Sequence, residues 1–337
     1  LHRQRRHGCL IMGIKAFNNP SDFVTKFGRA VAGDSTGAAL PQPSAVPVSA
    51  TGGTTSTPGN GYKYHVFNSS GTFTISSGSL VDIEYVVVAG GGGGGWDRGG
   101  GGGGGAFLPG TLQATPGAYS VTIGGGGAKA GPSANERGAS GGNTTLAYPT
   151  GPFVAKGGGG GGSGPGQGGI GPNGGTSGFA SGGPSANPNG GSGGGSEGSA
   201  WGTNNRGGDG GTQGNPGFKW GADPGDSPFT GGGGGGAGSG GPNNTSNVDG
   251  GNGSTLPWLL PSHGDSAYLS GGGGGGGNVV GAAGPGGGAA GRSPTSPDPA
   301  PGADDNTGGG GGGGAGGSGR TDGTAGGSGV VILRYAV

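Results

Sequence analysis

Alternating apolar and polar positions mark short strands at both ends of the chain's second part. Residues 62–67 (YKYHVF) and 71–75 (GTFTI) alternate, and 76–79 reads as a turn. Residues 81–89 form a stronger strand that ends in the apolar run YVVV. Residues 118–123 and 143–148 are further β-like pieces, and 330–335 (VVILRY) is the second strong strand. A helical period governs 19–33. Phe23, Phe27 and Val31 fall at i, i+4 and i+8, one apolar stripe of a short amphipathic helix. Asn19 suits its N-cap, Pro20 its first turn and Gly33 its stop. A helix this short is marginal alone, so the stripe is expected to anchor on a partner surface.

Between the strong strands the pattern gives way to glycine. Pure tracts occupy 90–95, 99–105, 124–127, 157–162, 231–236, 271–277 and 308–314, with mixed stretches near 190–195, 207–211 and 281–291. The chain holds 107 Gly and 25 Pro in 337 residues, about two fifths of its length, which ordinarily signals disorder. Here the Gly is bunched into tracts and bracketed by strands, which favours order. Polyglycine in the polyproline II conformation has three residues per turn and no internal hydrogen bonds. Its backbone groups point sideways and need neighbours, and only Gly lets backbones approach that closely. Ordering each residue costs roughly 1–2 kcal/mol, against ~0.5–1.5 kcal/mol returned per hydrogen bond. Such a bundle must therefore form cooperatively. Pure tracts are expected inside it, and mixed stretches such as 164–175 and 190–199 at its periphery.

Charge and special residues narrow the function. With 16 basic and 16 acidic residues the net charge is zero, so nothing pulls the chain toward nucleic acid or anionic membrane. No apolar run reaches the ~18 residues of a membrane span, and no cleavable signal is evident before or after Cys9. Cys9 is the single cysteine, so no disulfide framework exists. Leu1 stands where a Met would start a chain. No catalytic constellation, metal site or cofactor motif emerges. G-x-G-x-x-G matches recur in the tracts and carry no dinucleotide information, and His2, His7, His65 and His263 are too scattered for a metal. The expectation is a non-enzymatic protein.

The order of elements resembles the glycine-rich domain of bacteriophage tail-fibre and virion structural proteins. It is also similar to the polyglycine II adhesins at fibre tips. The likeness covers about 62–337 and rests on VVVAGGGGGG (86–95), AYSVTIGGGG (118–127), HGDSAYLSGGGGGGG (263–277) and GGSGVVILRY (326–335). It implies a mostly irregular and β fold, a polyglycine II bundle on a small β-rich base built by strands from both ends of the domain. An N-terminal helical arm (1–33) and a Pro/Ser/Thr/Gly linker (34–60) would precede the glycine-rich domain at 61–337. It further implies a virion location and loops that meet a host receptor, protein or glycan. Residues 1–50 would contact other virion proteins, and a homo-oligomer such as a trimer fits. A coat or matrix protein without receptor binding, or an ice-binding protein, are the alternatives.

If 81–89 pairs with 330–335, the tracts alternate outward and back. Trp96–Arg98 becomes a far-end turn, 106–123, 143–156 and 252–270 return to the base, and 128–140 and 278–307 lie at the far end. The candidate receptor-contact residues are then Trp96, Asp97, Arg98, Asn135, Arg137, Arg292, Asp298, Asp304 and Asp305. Trp96 is one of four Trp, with Trp201, Trp220 and Trp258, all in connecting segments. Exposed aromatics favour recognition; buried ones plug bundle ends. Trp258, beside Leu256, Leu259 and Leu260, is expected to pack in the base. The adjacent Asp304 and Asp305 read as a solvated loop, since Ca²⁺ needs more acceptors at loop spacing.

Overall fold

The computed structural model describes residues 48–77, 81–132, 137–164, 191–196, 198, 207–208, 210–217, 230–241, 248–296, 300–316 and 319–337. The helix at 19–33, with Phe23, Phe27 and Val31, lies outside them, as do Asn135, Trp201, Trp220 and Asp298. Among the described residues there is no α-helix.

Ten strands form two antiparallel sheets. They are β1 (Ser49–Thr51), β2 (Thr54–Ser56), β3 (Tyr62–Phe67), β4 (Gly71–Ser77), β5 (Val81–Val88), β6 (Phe107–Ala114), β7 (Gly117–Thr122), β8 (Thr144–Leu146), β9 (Phe153–Ala155) and β10 (Val330–Ala336). One sheet has the order β1-β4-β7-β8-β9, the other β2-β3-β10-β5-β6. The two strong strands do pair: Val330 lies opposite Val88 and Arg334 opposite Glu84. β1 and β2 fall within the span expected as linker, so the end of that span belongs to the sheets. β6 and β9 were not expected as strands. Pro109 and Gly110 break the pattern of β6, which survives because it is an edge strand with only β5 beside it.

Side chains alternate faces along β10. Val331, Leu333 and Tyr335 enter the core between the sheets with Phe73, Ile83, Tyr119 and Leu146. Val330 and Ile332 face outward, against Leu259 and Leu269. The segment 253–270 thus covers the outer face of the second sheet, and Trp258 packs there as expected. Arg334 fixes that cover. It pairs with Glu84 at 2.6 Å and lies between the rings of Tyr62, at 4.0 Å, and Trp258, at 4.9 Å.

The glycine tracts continue directly from the strands. β5 runs into 90–95, β7 into 124–130 and β9 into 157–162, while 99–105, 138–142 and 322–329 feed β6, β8 and β10. Their hydrogen bonds repeat every three residues. Gly90 and Gly93 donate to Gly142 and Ala139, Gly91 and Gly94 to Gly327 and Thr324, and Gly92 and Gly95 to Gly103 and Gly100. Three residues per turn is the period of polyproline II.

The 99–105 helix is the centre of this lattice. Gly102 and Gly105 donate to Gly311 and Gly308, Gly100 and Gly103 to Gly162 and Gly159, Gly101 and Gly104 to Gly232 and Gly235. Its carbonyls accept from Gly92 and Gly95, from Ser192 and Gly195, and from Gly273 and Gly276, and these central bonds are 2.7–3.0 Å. The six neighbours also bond one another in a closed ring: 90–95 to 308–314, then 271–277, 231–236, 191–196, 157–162 and back. The mixed stretch 191–196 is therefore a ring helix, not a peripheral one, and Ser192 and Ser196 are 0% exposed. The Ser192 hydroxyl faces away from the centre and accepts the Asn215 amide, which is how a side chain is accommodated there.

One expectation about topology is corrected. The span 278–307 is not wholly at the far end. Gly281 and Gly284 donate to Gly275 and Gly272, so 281–285 is a helix returning to the base. The chain turns at Gly286 and Gly287, both at positive φ, and 288–292 runs outward again. Thr307 is at the base, where its carbonyl accepts the Ser270 amide. The Gly-rich stretch 281–291 thus joins the lattice, as its composition allows, and its return to the base is what the alternation of the pure tracts left out.

Candidate functional site: the far end of the bundle

The unit that holds the sheets and the glycine helices has two poles. β10 leaves the bundle at Val330 and ends at Ala336, and Val337 donates to the Gly61 carbonyl. β1 begins beside Ser77, at the end of β4 remote from the point where β7 enters the bundle. Residues 48 and 337 therefore both lie on the side of the sandwich away from the glycine helices. The opposite pole consists of turns.

Trp96, Asp97 and Arg98 form the turn between the two innermost helices. Asp97 and Arg98 are left-handed, with φ of 48° and 58°, a conformation that costs energy away from Gly. Charge holds it. The Asp97 carboxylate is 1% exposed and sits 3.4 Å from Arg98 Nε and 3.3 Å from Arg320 Nε. The Arg320 guanidinium lies 5.3 Å from the centre of the Trp96 ring. The Trp96 amide donates to the Ser163 hydroxyl, and its carbonyl accepts from Gly164. Trp96 is 6% exposed, so it closes the bundle end and offers no face to a receptor.

The other expected contact residues divide. Arg292 is at this pole but 2% exposed, with Nη1 donating to the Asp322 carbonyl at 3.1 Å. Arg137 is half-buried, and desolvation lowers its guanidinium pKa. Asp304 and Asp305 are exposed but sit at the base, on the turn that follows the returning chain. The far surface is formed instead by residues the sequence did not single out. Arg320 and Lys129 expose 53% and 45% of their side chains, and Lys129 bonds Asp322 at 3.1 Å. Val279 and Val280 are 39% and 44% exposed on the adjoining turn. The Val-Val pair just past the 271–277 tract was the one available signal.

Two imidazoles are buried in the base. His65, 0% exposed, lies against Phe73 and Tyr335 and donates from Nδ1 to the Gly52 carbonyl at 2.7 Å. Desolvation lowers its pKa most, and Lys63 adds to this. His263 is lowered likewise by desolvation. Among the described residues no three His, Cys, Asp or Glu are grouped as metal ligands, and no helix is long and apolar enough to cross a membrane.

The family of glycine-rich domains matches residues 67–336, from the end of β3 to the end of β10. The chain belongs to the glycine-rich domain family. The match takes in the bundle and β4 to β10, and leaves β1, β2 and all of β3 but Phe67 outside. No curated protein matches the chain.

Proposed function

We propose that this glycine-rich domain is a structural and adhesive component of a bacteriophage particle, a tail-fibre, fibre-tip or capsid-fibre element, with no enzymatic role. It is a stiff spacer that carries surface turns away from an attachment point. The observation that carries this reading is the polarity of the sandwich and bundle. Residues 48 and 337 leave the sandwich on one side, and the helices project their turns to the other. A lattice whose central helix bonds on six sides resists bending, because displacing that helix breaks bonds to all its neighbours. Residues 1–50 would dock on other particle proteins, and Arg320, Lys129, Val279 and Val280 would meet the host surface.

The test is binding of the full chain to candidate bacterial hosts. Saturable binding that falls on the double change Val279→Ser, Val280→Ser supports adhesion. A second reading, a coat or spacer protein without a receptor, is favoured by the burial of Trp96 and Arg292. Absence of cell binding, with antibody labelling of particles retained, would select it.

A further inference from the structure

A cleft of about 320 Å³ opens on the outer face of the second sheet, between the turns at 262–264 and 304–307. Its size falls within the range of small-ligand sites, about 300–1,000 Å³. The floor is apolar, formed by Val66, Val330 and Ile332. The walls are polar and bear no Lys or Arg.

His263 is the informative wall residue. It is 6% exposed and its ring packs 5.5 Å from that of Tyr64. Nδ1 accepts the Leu260 amide at 3.1 Å. A neutral imidazole holds one proton, so this bond places it on Nε2. No described residue bonds Nε2, and His263 lines the cleft. The residue thus brings a nearly buried N–H to the cleft wall. Across from it, the Asp304 carboxylate takes part in no hydrogen bond with a described residue, and Asp305 gives only Oδ1 to the Ser328 amide.

We infer that this cleft binds a neutral saccharide unit. A sugar hydroxyl can accept from His263 Nε2–H and donate to Asp304 or Asp305. The C–H face of a pyranose matches the half-buried Val66, which is backed by Val330 and Ile332. An anionic ligand would meet two carboxylates and no cation. A metal that takes imidazole would need a lone pair on Nε2, where the proton sits, and a hard cation on the carboxylates is the competing occupant that the test below separates. The cleft lies at the base and does not depend on what the far-end turns contact.

The experiment is saturation-transfer NMR on the full chain with the methyl glycosides of glucose, galactose, mannose and N-acetylglucosamine. At least one should bind saturably. Asp304→Ala should weaken it about tenfold, the scale of a lost charged hydrogen bond, with the melting midpoint unchanged. Asn68→Ala, at another exposed wall position, serves if the first variant fails to fold. Three results would overturn the proposal: no saturable binding of any glycoside, binding indifferent to both variants, or binding of Ca²⁺ alone.

Discussion

The sandwich and the bundle bury their backbones in different ways. In the sandwich, the strands bond in pairs and side chains fill the space between sheets, with Leu333 and Ile83 each 1% exposed. In the bundle there is no side-chain layer. Backbone packs on backbone in every direction, and a Cβ placed on Gly102 would come within 2.1 Å of the Gly92 carbonyl oxygen. The sandwich tolerates adjustment because side chains have alternative rotamers. The bundle has no such slack, since its packing elements are peptide planes. Difference in substitution cost is therefore the clearest way to break or sharpen the comparison.

The largest effect is expected at the centre of the lattice. Gly102→Ala forces apart helices that share bonds on six sides, and it should cost more than about 5 kcal/mol, at the exceptional end for one substitution. The full chain would lose cooperative unfolding or fail to accumulate in soluble form. Leu333→Ala in the sandwich core should cost less, about 2–5 kcal/mol as for other buried leucines, and leave a folded protein with a lower denaturant midpoint. If Leu333→Ala proves the more damaging, the bundle is not the stiffer half.

Ring position also erases a distinction that tract purity suggested. A Cβ on Gly195 would lie 2.0 Å from the Gly232 carbonyl oxygen, as close as one on Gly273 to that of Gly311. Valine at either site should be equally disruptive. Period-2 strands and pure tracts were legible in the sequence because each is a local pattern. Which tract sits at the centre was not, since it depends on six partners distant in the chain. Nor was burial of Trp96 legible: it follows from Arg320, more than 200 positions away, stacking over it. Asp304 and Asp305 were assigned to the wrong pole because 278–307 was placed whole at the far end, when the Gly-rich stretch 281–291 inside it makes two more lattice helices, one returning to the base.

The far-end turn gives a smaller, intermediate test. Asp97→Asn keeps the shape but removes the charge that holds Arg98 and Arg320, and about 1–3 kcal/mol should be lost. The loss should shrink in high salt, because Arg320 is half exposed.

Acid separates the regions differently. His65 and His263 both have pKa values lowered from 6.5 by burial in the base. The unfolded chain therefore takes up protons near pH 6.5 that the folded chain refuses. Their contribution is complete above that pH and declines as pH falls toward the folded values. With the base-catalysed fall in intrinsic rate divided out, amide protection between pH 7 and 5 should drop first in β3 and the 253–270 cover. The central glycine amides, with no titratable group around them, should lose protection only on global unfolding. A uniform loss of protection would show that the halves do not open separately.

The smallest effect is expected at Gly125, and it tests the lattice by exception. The 124–130 helix is at the bundle edge, where 124, 127 and 130 are buried and 125, 126, 128 and 129 exposed. That three-residue rhythm is the helix period seen from one side. A Cβ on Gly125 meets nothing within 4 Å, whereas one on its neighbour Gly126 would lie 1.8 Å from the Gly326 carbonyl oxygen. Gly125→Ala removes unfolded-state freedom without a clash, and should be neutral or stabilising by up to ~0.4–1 kcal/mol. Gly126→Ala must push the 322–329 helix away and should destabilise. Two adjacent glycines, alike in sequence and exposure, would then differ in sign, a result that a loosely collapsed glycine chain cannot produce. Equal midpoint shifts for the two variants would mean that the edge helix does not hold its register.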